Sequence, residues 1–154
     1  MDSSALDRAL VGRLMGDATL MALMPDGVFF DVGGHGATAF VIVGLLSDHD
    51  DPMFGGRAYE DPEYVVKAVH LATSADVADE AAARIDALVA IPVTADGYTC
   101  TALERVERIA YTEVDDLDPS IRYQHRGGRY ALAAAPSAEA PGPPPWVQGG
   151  WIQP

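Results

Sequence analysis

Cysteine occurs once in this chain, at Cys100, so no intramolecular disulfide and no cysteine-based metal cluster can form. Basic residues are scarce. Lysine and arginine together number 10 against 23 aspartates and glutamates, a net charge of −13, and the single lysine is Lys67. That balance disfavours ordinary nucleic-acid binding, which neutralises phosphates with cationic side chains. It is compatible with a protein that surrounds DNA without gripping it. Long apolar runs are missing as well. The longest, Ala39 to Leu46, has the length of a strand and falls far short of the ~20 residues a membrane helix requires. Met1-Asp2-Ser3-Ser4 places an acid where a signal peptide would be basic, and no apolar segment follows, which predicts cytoplasmic synthesis.

Catalytic and ligand-binding motifs are equally sparse. The four histidines, His35, His49, His70 and His125, show no HExxH spacing. No GxSxG elbow is present, and Gly33-Gly34-His35-Gly36 has neither dinucleotide-binding nor phosphate-loop spacing, so it reads as a turn. Asp48-His49-Asp50-Asp51 could supply oxygen and nitrogen ligands to a cation, but it lacks the periodicity and closing glutamate of a calcium loop. The acids of Asp48 to Glu63 and of Glu113 to Asp118 read as two solvated loops. Cys100, inside an expected strand with no cation beside it, reads as an inert buried thiol, and His70 as a partly buried sheet residue. No catalytic, cofactor or metal site is expected, and the chain is not expected to be an enzyme.

What the chain does contain is one clean change of period. Tyr64, Val66, Ala68 and His70 alternate with Val65, Lys67, Val69 and Leu71, a strand. After Thr73-Ser74, Val77, Ala81, Ile85 and Leu88 recur at helical spacing, with Asp76, Asp79, Glu80 and Asp86 mostly on the other side. Thr73 and Asp76 have the form of a capping box. Upstream, Leu6, Leu10 and Leu14 mark a first helix, Asp17 caps a short helical segment to Leu23, and Val28 to Val32 reads as a short strand. Thr38 to Ser47 predicts a strand central in a sheet. Asp48 to Arg57 reads as an exposed loop with Met53 and Phe54 at its tip. Tyr98 to Glu113 predicts one strand with a bulge, and Ile121 to Ala134 the last strand, with Gly127-Gly128 at a bend or a close contact. The fold class is α+β: a mixed, mostly antiparallel sheet with two main helices packed against it.

Composition changes at Pro136. Six of the 11 prolines, both tryptophans and no lysine or arginine lie between Pro136 and Pro154. The reading is a domain over residues 1–135 followed by an extended arm over 136–154. Trp146 and Trp151 suggest that the arm docks on a partner; a passive tail is the other reading. Candidate contact residues are therefore Met53, Phe54 and Arg57 on the loop and Trp146 and Trp151 on the arm.

The order of elements, from Leu6-x3-Leu10-x3-Leu14 through Val28-Phe29-Phe30 and Phe40-Val41-Ile42-Val43 to Tyr64–Ala72, the alanine-rich Ala75–Leu88 and the closing Arg122-Tyr123-Gln124-His125 and Arg129-Tyr130-Ala131-Leu132, resembles the tail terminator, or tail-to-head joining, family of long-tailed bacteriophages. The resemblance spans roughly residues 5–134, in pattern and order. It implies a structural virion protein without cofactors or catalytic residues. In such a role the chain forms a ring with itself, usually a hexamer, that caps the tail tube at the tail-head junction. Its partners would be the major tail tube protein and the head-closure or connector protein, with DNA passing through unread and no membrane involved. Other head-tail connector proteins, and a small metal- or ligand-binding module built on residues 48–63, are the alternatives.

Overall fold

The computed structural model describes residues 2–53 and 56–137, with the backbone alone at 53, 56 and 57. Its leucine stripe forms α1 (Ser4–Met15), where Leu6, Leu10 and Leu14 are buried. Asp17 then accepts the Leu20 N–H at 2.8 Å and caps α2 (Ala18–Leu23), as its position in the sequence predicts. The strands that follow are β1 (Val28–Phe30) and β2 (Ala39–Ser47), then β3 (Asp50–Met53), β4 (Gly56–Glu60) and β5 (Glu63–Leu71). After α3 (Asp76–Val89) come β6 (Thr94–Ala95), β7 (Tyr98–Cys100), β8 (Glu104–Val114), β9 (Arg122–Ala131) and β10 (Ala134–Pro136).

Two five-stranded sheets result, ordered β1-β2-β5-β9-β8 and β3-β4-β10-β7-β6. Only the β1–β2 pair is parallel, so the fold is α+β and mostly antiparallel. The chain crosses between sheets through α3, from β5 to β6, and at four short corners: Asp48-His49 between β2 and β3, Asp61-Pro62 between β4 and β5, residues 101–103 between β7 and β8, and Leu132-Ala133 between β9 and β10. These corners lie side by side. The Leu132 N–H bonds to the Pro62 carbonyl at 3.0 Å, and the Thr101 N–H to the Ala133 carbonyl at 2.9 Å. The sheets are thus joined along a hydrogen-bonded seam, with backbone groups satisfied where the strands bend.

Four expectations change. Residues 48–57 are largely the β3–β4 hairpin, in which Asp51 pairs with Tyr59 and Met53 with Gly56. The single strand expected over 98–113 is divided between β7 and β8, with its bulge at Arg105/Glu107. The last strand bends at Leu132-Ala133, whereas Gly127-Gly128 lies inside straight β9. The glycines are needed there for close approach: a Cβ on Gly127 would stand 2.1 Å from the Val66 carbonyl oxygen, and one on Gly128 2.7 Å from that of Glu107. The expected capping box at α3 does not form either; the Asp76 N–H bonds instead to Ser74 Oγ, at 3.2 Å.

The helices share one face of the first sheet. Val41 and Val43 of β2, Tyr64, Val66 and Ala68 of β5, and Tyr130 of β9 join the α1 leucines, Ala81 and Ile85 in one core. Tyr64 and Tyr130 are cross-strand neighbours. Each tethers a helix: the Tyr64 hydroxyl donates to Asp7 of α1 at 2.7 Å, and that of Tyr130 donates to Asp86 of α3. Burial first, and then the facing carboxylate, raise the ionisation of both phenols above the usual tyrosine range, so both remain donors.

Candidate assembly surface

No side of this fold gathers a catalytic constellation among the described residues, so its chemistry has to be read from three surface regions. The first is the base of the β3–β4 hairpin. Asp48, Asp50 and Glu60 bring one carboxylate oxygen each within 4.8 Å of one another. Glu60 is fully buried and accepts from the Tyr98 hydroxyl at 2.6 Å and the Ser3 hydroxyl at 3.2 Å. All three carboxylates are engaged by neighbouring groups. The fold therefore does bring acids of the 48–63 segment together, around a glutamate that sequence alone placed on an exposed loop.

The helix-free face of the first sheet forms the second region. Val32, Gly33 and Gly34 of the β1–β2 connection, Phe40 and Ile42 of β2, Val69 of β5 and Tyr123 of β9 border an open groove of about 640 Å³. His125 and Glu113 close one side, with His125 Nε2 and the Glu113 carboxylate 3.0 Å apart. Tyr111 stacks on the His125 ring at 4.4 Å between centroids, and its hydroxyl accepts from Lys67 Nζ at 2.8 Å. Desolvation, aided by the nearby Lys67 charge, lowers the His125 pKa against the opposing pull of Glu113. The ring is thus neutral at pH 7, with Nε2–H donating to Glu113. A neutral imidazole held by a carboxylate can orient a base, but the aromatic stack and the burial leave it as a rivet between β8 and β9.

The third region is the β8–β9 ribbon itself. β8 is the outer strand of the first sheet and is exposed along almost its whole length, on both faces. Val106, Tyr111 and Val114 are large exposed side chains on it, and Leu117, in the turn that leads to β9, is 97% exposed. On the helix side the ribbon is latched to α3. Asp86 pairs with Arg105, and Asp79 with Arg126 at 3.1 Å, with Arg108 3.9 Å away. Two of the α3 acids that read as solvent-facing thus dock the helix onto arginines of the ribbon. Charges of both signs at odd and even positions, Glu104-Arg105 and Glu107-Arg108, are the sequence signal that neither face of β8 is core.

Of the residues expected to make contacts, Met53 ends β3 and Arg57 lies in β4, while Phe54, Trp146 and Trp151 lie outside the described residues. Cys100 is partly buried at the end of β7, and burial raises its pKa, which favours the protonated thiol. His70 is half-buried in β5. Among the described residues no helix is long and apolar enough to cross a membrane.

The sequence matches no protein-family model and no curated protein. The fold, however, is shared with solved structures. A chain of the virion of a native gene transfer agent particle superposes with a TM-score of 0.66 at 20% identity, over 88% of this chain and 97% of that one. A second solved chain superposes with a TM-score of 0.61 at 14% identity, over 90% of this chain and 99% of the other. At these identities the likeness is one of fold.

Proposed function

We propose that this chain is a structural protein of a phage-like virion, a tail terminator that forms a ring on the finished tail tube and joins it to the head-side connector. The observation that carries this reading is the near-complete superposition on a chain of the gene transfer agent virion. Three further features support it. The element order resembles that family, the described residues hold no catalytic constellation, and a net charge of −13 keeps affinity for DNA phosphates low in a bore through which DNA must pass. In this role the chain is non-catalytic and needs no cofactor. Its partners are other copies of itself, a tail tube protein and a head-closure protein.

Light scattering coupled to size exclusion, with and without isolated tail tubes, tests the reading. A ring of about six copies, alone or on the tube end seen by electron microscopy, is the expected result. A chain that stays monomeric and does not bind tube ends would overturn it. The segment that joins β3 to β4 is the proposed contact to a neighbouring subunit or the adjacent ring, with Met53, Phe54 and Arg57 as its contact residues. Met53→Ser with Phe54→Ser should leave the circular dichroism unchanged and reduce the bound fraction at least about tenfold, the effect of removing a contact anchor. Loss of the fold instead would place these side chains in the core.

A further inference from the structure

We infer that β8 is the edge to which a second copy of this chain adds a strand, which makes this edge one side of the contact between neighbours in the assembly. The inference rests on the ring reading for its occupant and on the backbone for its chemistry. The Asp115 N–H bonds to the Ile121 carbonyl at 3.1 Å, at the head of the β8–β9 ladder. From there the register runs unbroken to Glu107↔Arg129. Antiparallel bonding alternates along a strand. Glu113, Tyr111 and Ile109 therefore bond inward to β9, while Val114, Thr112, Ala110 and Arg108 turn their N–H and C=O groups outward. That outward row faces no strand among the described residues.

Edges of this length are usually blunted by proline, by inward charges, by bulges or by a covering element. β8 has no proline, and its one bulge, at Arg105/Glu107, lies near its start. Most of its charges already have partners within the fold: Arg105 pairs with Asp86, Glu107 with Arg129 and Arg108 with Asp79, while Glu113 accepts a hydrogen bond from neutral His125. What remains outward is a regular backbone row flanked by exposed Val106, Tyr111 and Val114. Electrostatics disfavour a second copy least at this edge. With its turn, the β8–β9 ribbon carries five arginines against six acids and is close to neutral, on a chain whose net charge is −13. Two copies that meet along it avoid the like-charge repulsion of the more acidic remainder. A ring requires the receiving edge to differ from β8, because β8 against β8 would close a two-fold dimer.

Amide hydrogen exchange and light scattering on the full-length protein, across a concentration series, test this together with Ala110→Pro. Ala110 is exposed, and its N–H points outward, so proline there spares the β8–β9 ladder while removing a donor from the free edge. In the wild-type assembly, the amides of Arg108, Ala110, Thr112 and Val114 should exchange at least about tenfold more slowly than in the monomer. Ala110→Pro should keep the wild-type circular dichroism and remain monomeric where the wild type assembles. Should Ala110→Pro fail to fold, Val106→Lys with Val114→Lys, both at exposed positions, should block assembly in its place. A wild type that assembles without protection in 104–114, or variants that fold and assemble normally, would overturn the inference and leave the ring reading standing. A two-fold dimer as the end product would overturn the head-to-tail arrangement. A wild type that stays monomeric at every concentration and fails to cap tail tubes would overturn both, and protection of β8 by tail tubes alone would assign the edge to the tube protein.

Discussion

Gly12 and Gly127 show how far one residue type can differ in what it does. A Cβ at Gly12, exposed within α1, meets nothing within 4 Å. Gly12→Ala should therefore stabilise the protein by about 1 kcal/mol, the helix-propensity difference, read as a higher urea midpoint. Gly127→Ala would press a methyl group against the backbone of β5 and should cost about 3 kcal/mol or more, in line with overpacking at a site that cannot give way. His125 makes a pH prediction. Its folded pKa lies below the ordinary 6.5, chiefly through desolvation, so the unfolded chain takes up its proton first. The stability it contributes is complete above pH 6.5 and is lost as pH falls through the lowered pKa. Thermal melts should show wild type losing stability between pH 7 and pH 5 more steeply than His125→Gln; equal slopes would show that the rivet titrates no differently when folded.

Among the elements, the short α2 is tied at its N-terminus to α3 by an ion pair. Asp17 caps it and also binds Arg84 of α3, with guanidinium nitrogens at 2.9 and 2.5 Å. These bonds from Arg84, and then the Leu20 N–H, pull the Asp17 pKa down to about 2 from 3.8. A depressed carboxylate stabilises the fold above its unfolded pKa and ceases to do so as pH falls through the folded one. Asp17→Asn, which keeps the cap but loses the ion pair, should melt below wild type at pH 7, and the gap should close between about pH 4 and pH 2. This latch was half legible: Asp17 reads as a cap from its neighbours, but its partner is 67 residues away. The same division runs through the other elements. Periodicity marks α1, β5 and α3 because each buries one regular face, and a continuous apolar run marks β2, which is buried on both. Periodicity misses the β3–β4 hairpin, where acids, glycines and Pro52 leave no apolar alternation in the sequence. It also merges β7 with β8 and β9 with β10, because a strand that turns a corner between sheets keeps strand-like composition throughout. Of the assembly surface, the double-sided exposure of β8 had a signal in its charges; the burial of Glu60 had none, since it depends on Tyr98 and Ser3 converging from distant segments.

For the molecule as a whole, the described fold ends at Ser137, whose N–H bonds to the Gly97 carbonyl at 2.8 Å beside β7. The chain continues for 17 residues, 138–154, which contain Trp146 and Trp151. The core of the described residues, built on leucines, Tyr64 and Tyr130, contains no tryptophan. We propose that the arm docks on a neighbouring copy or an adjacent ring protein, with Pro141 to Pro145, interrupted only by Gly142 between Pro141 and Pro143, limiting the entropy lost on ordering. Burying both indoles could contribute roughly 3–6 kcal/mol before ordering costs. No other tryptophan exists in the chain, so fluorescence reports on this segment alone. The isolated monomer should emit near free tryptophan, with a clear blue shift on assembly, and truncation after Ser137 should weaken assembly while sparing the fold. Emission that stays red in the assembled particle, or a truncated chain that assembles as well as the intact one, would make the arm a passenger and leave β8 and the hairpin to hold the ring.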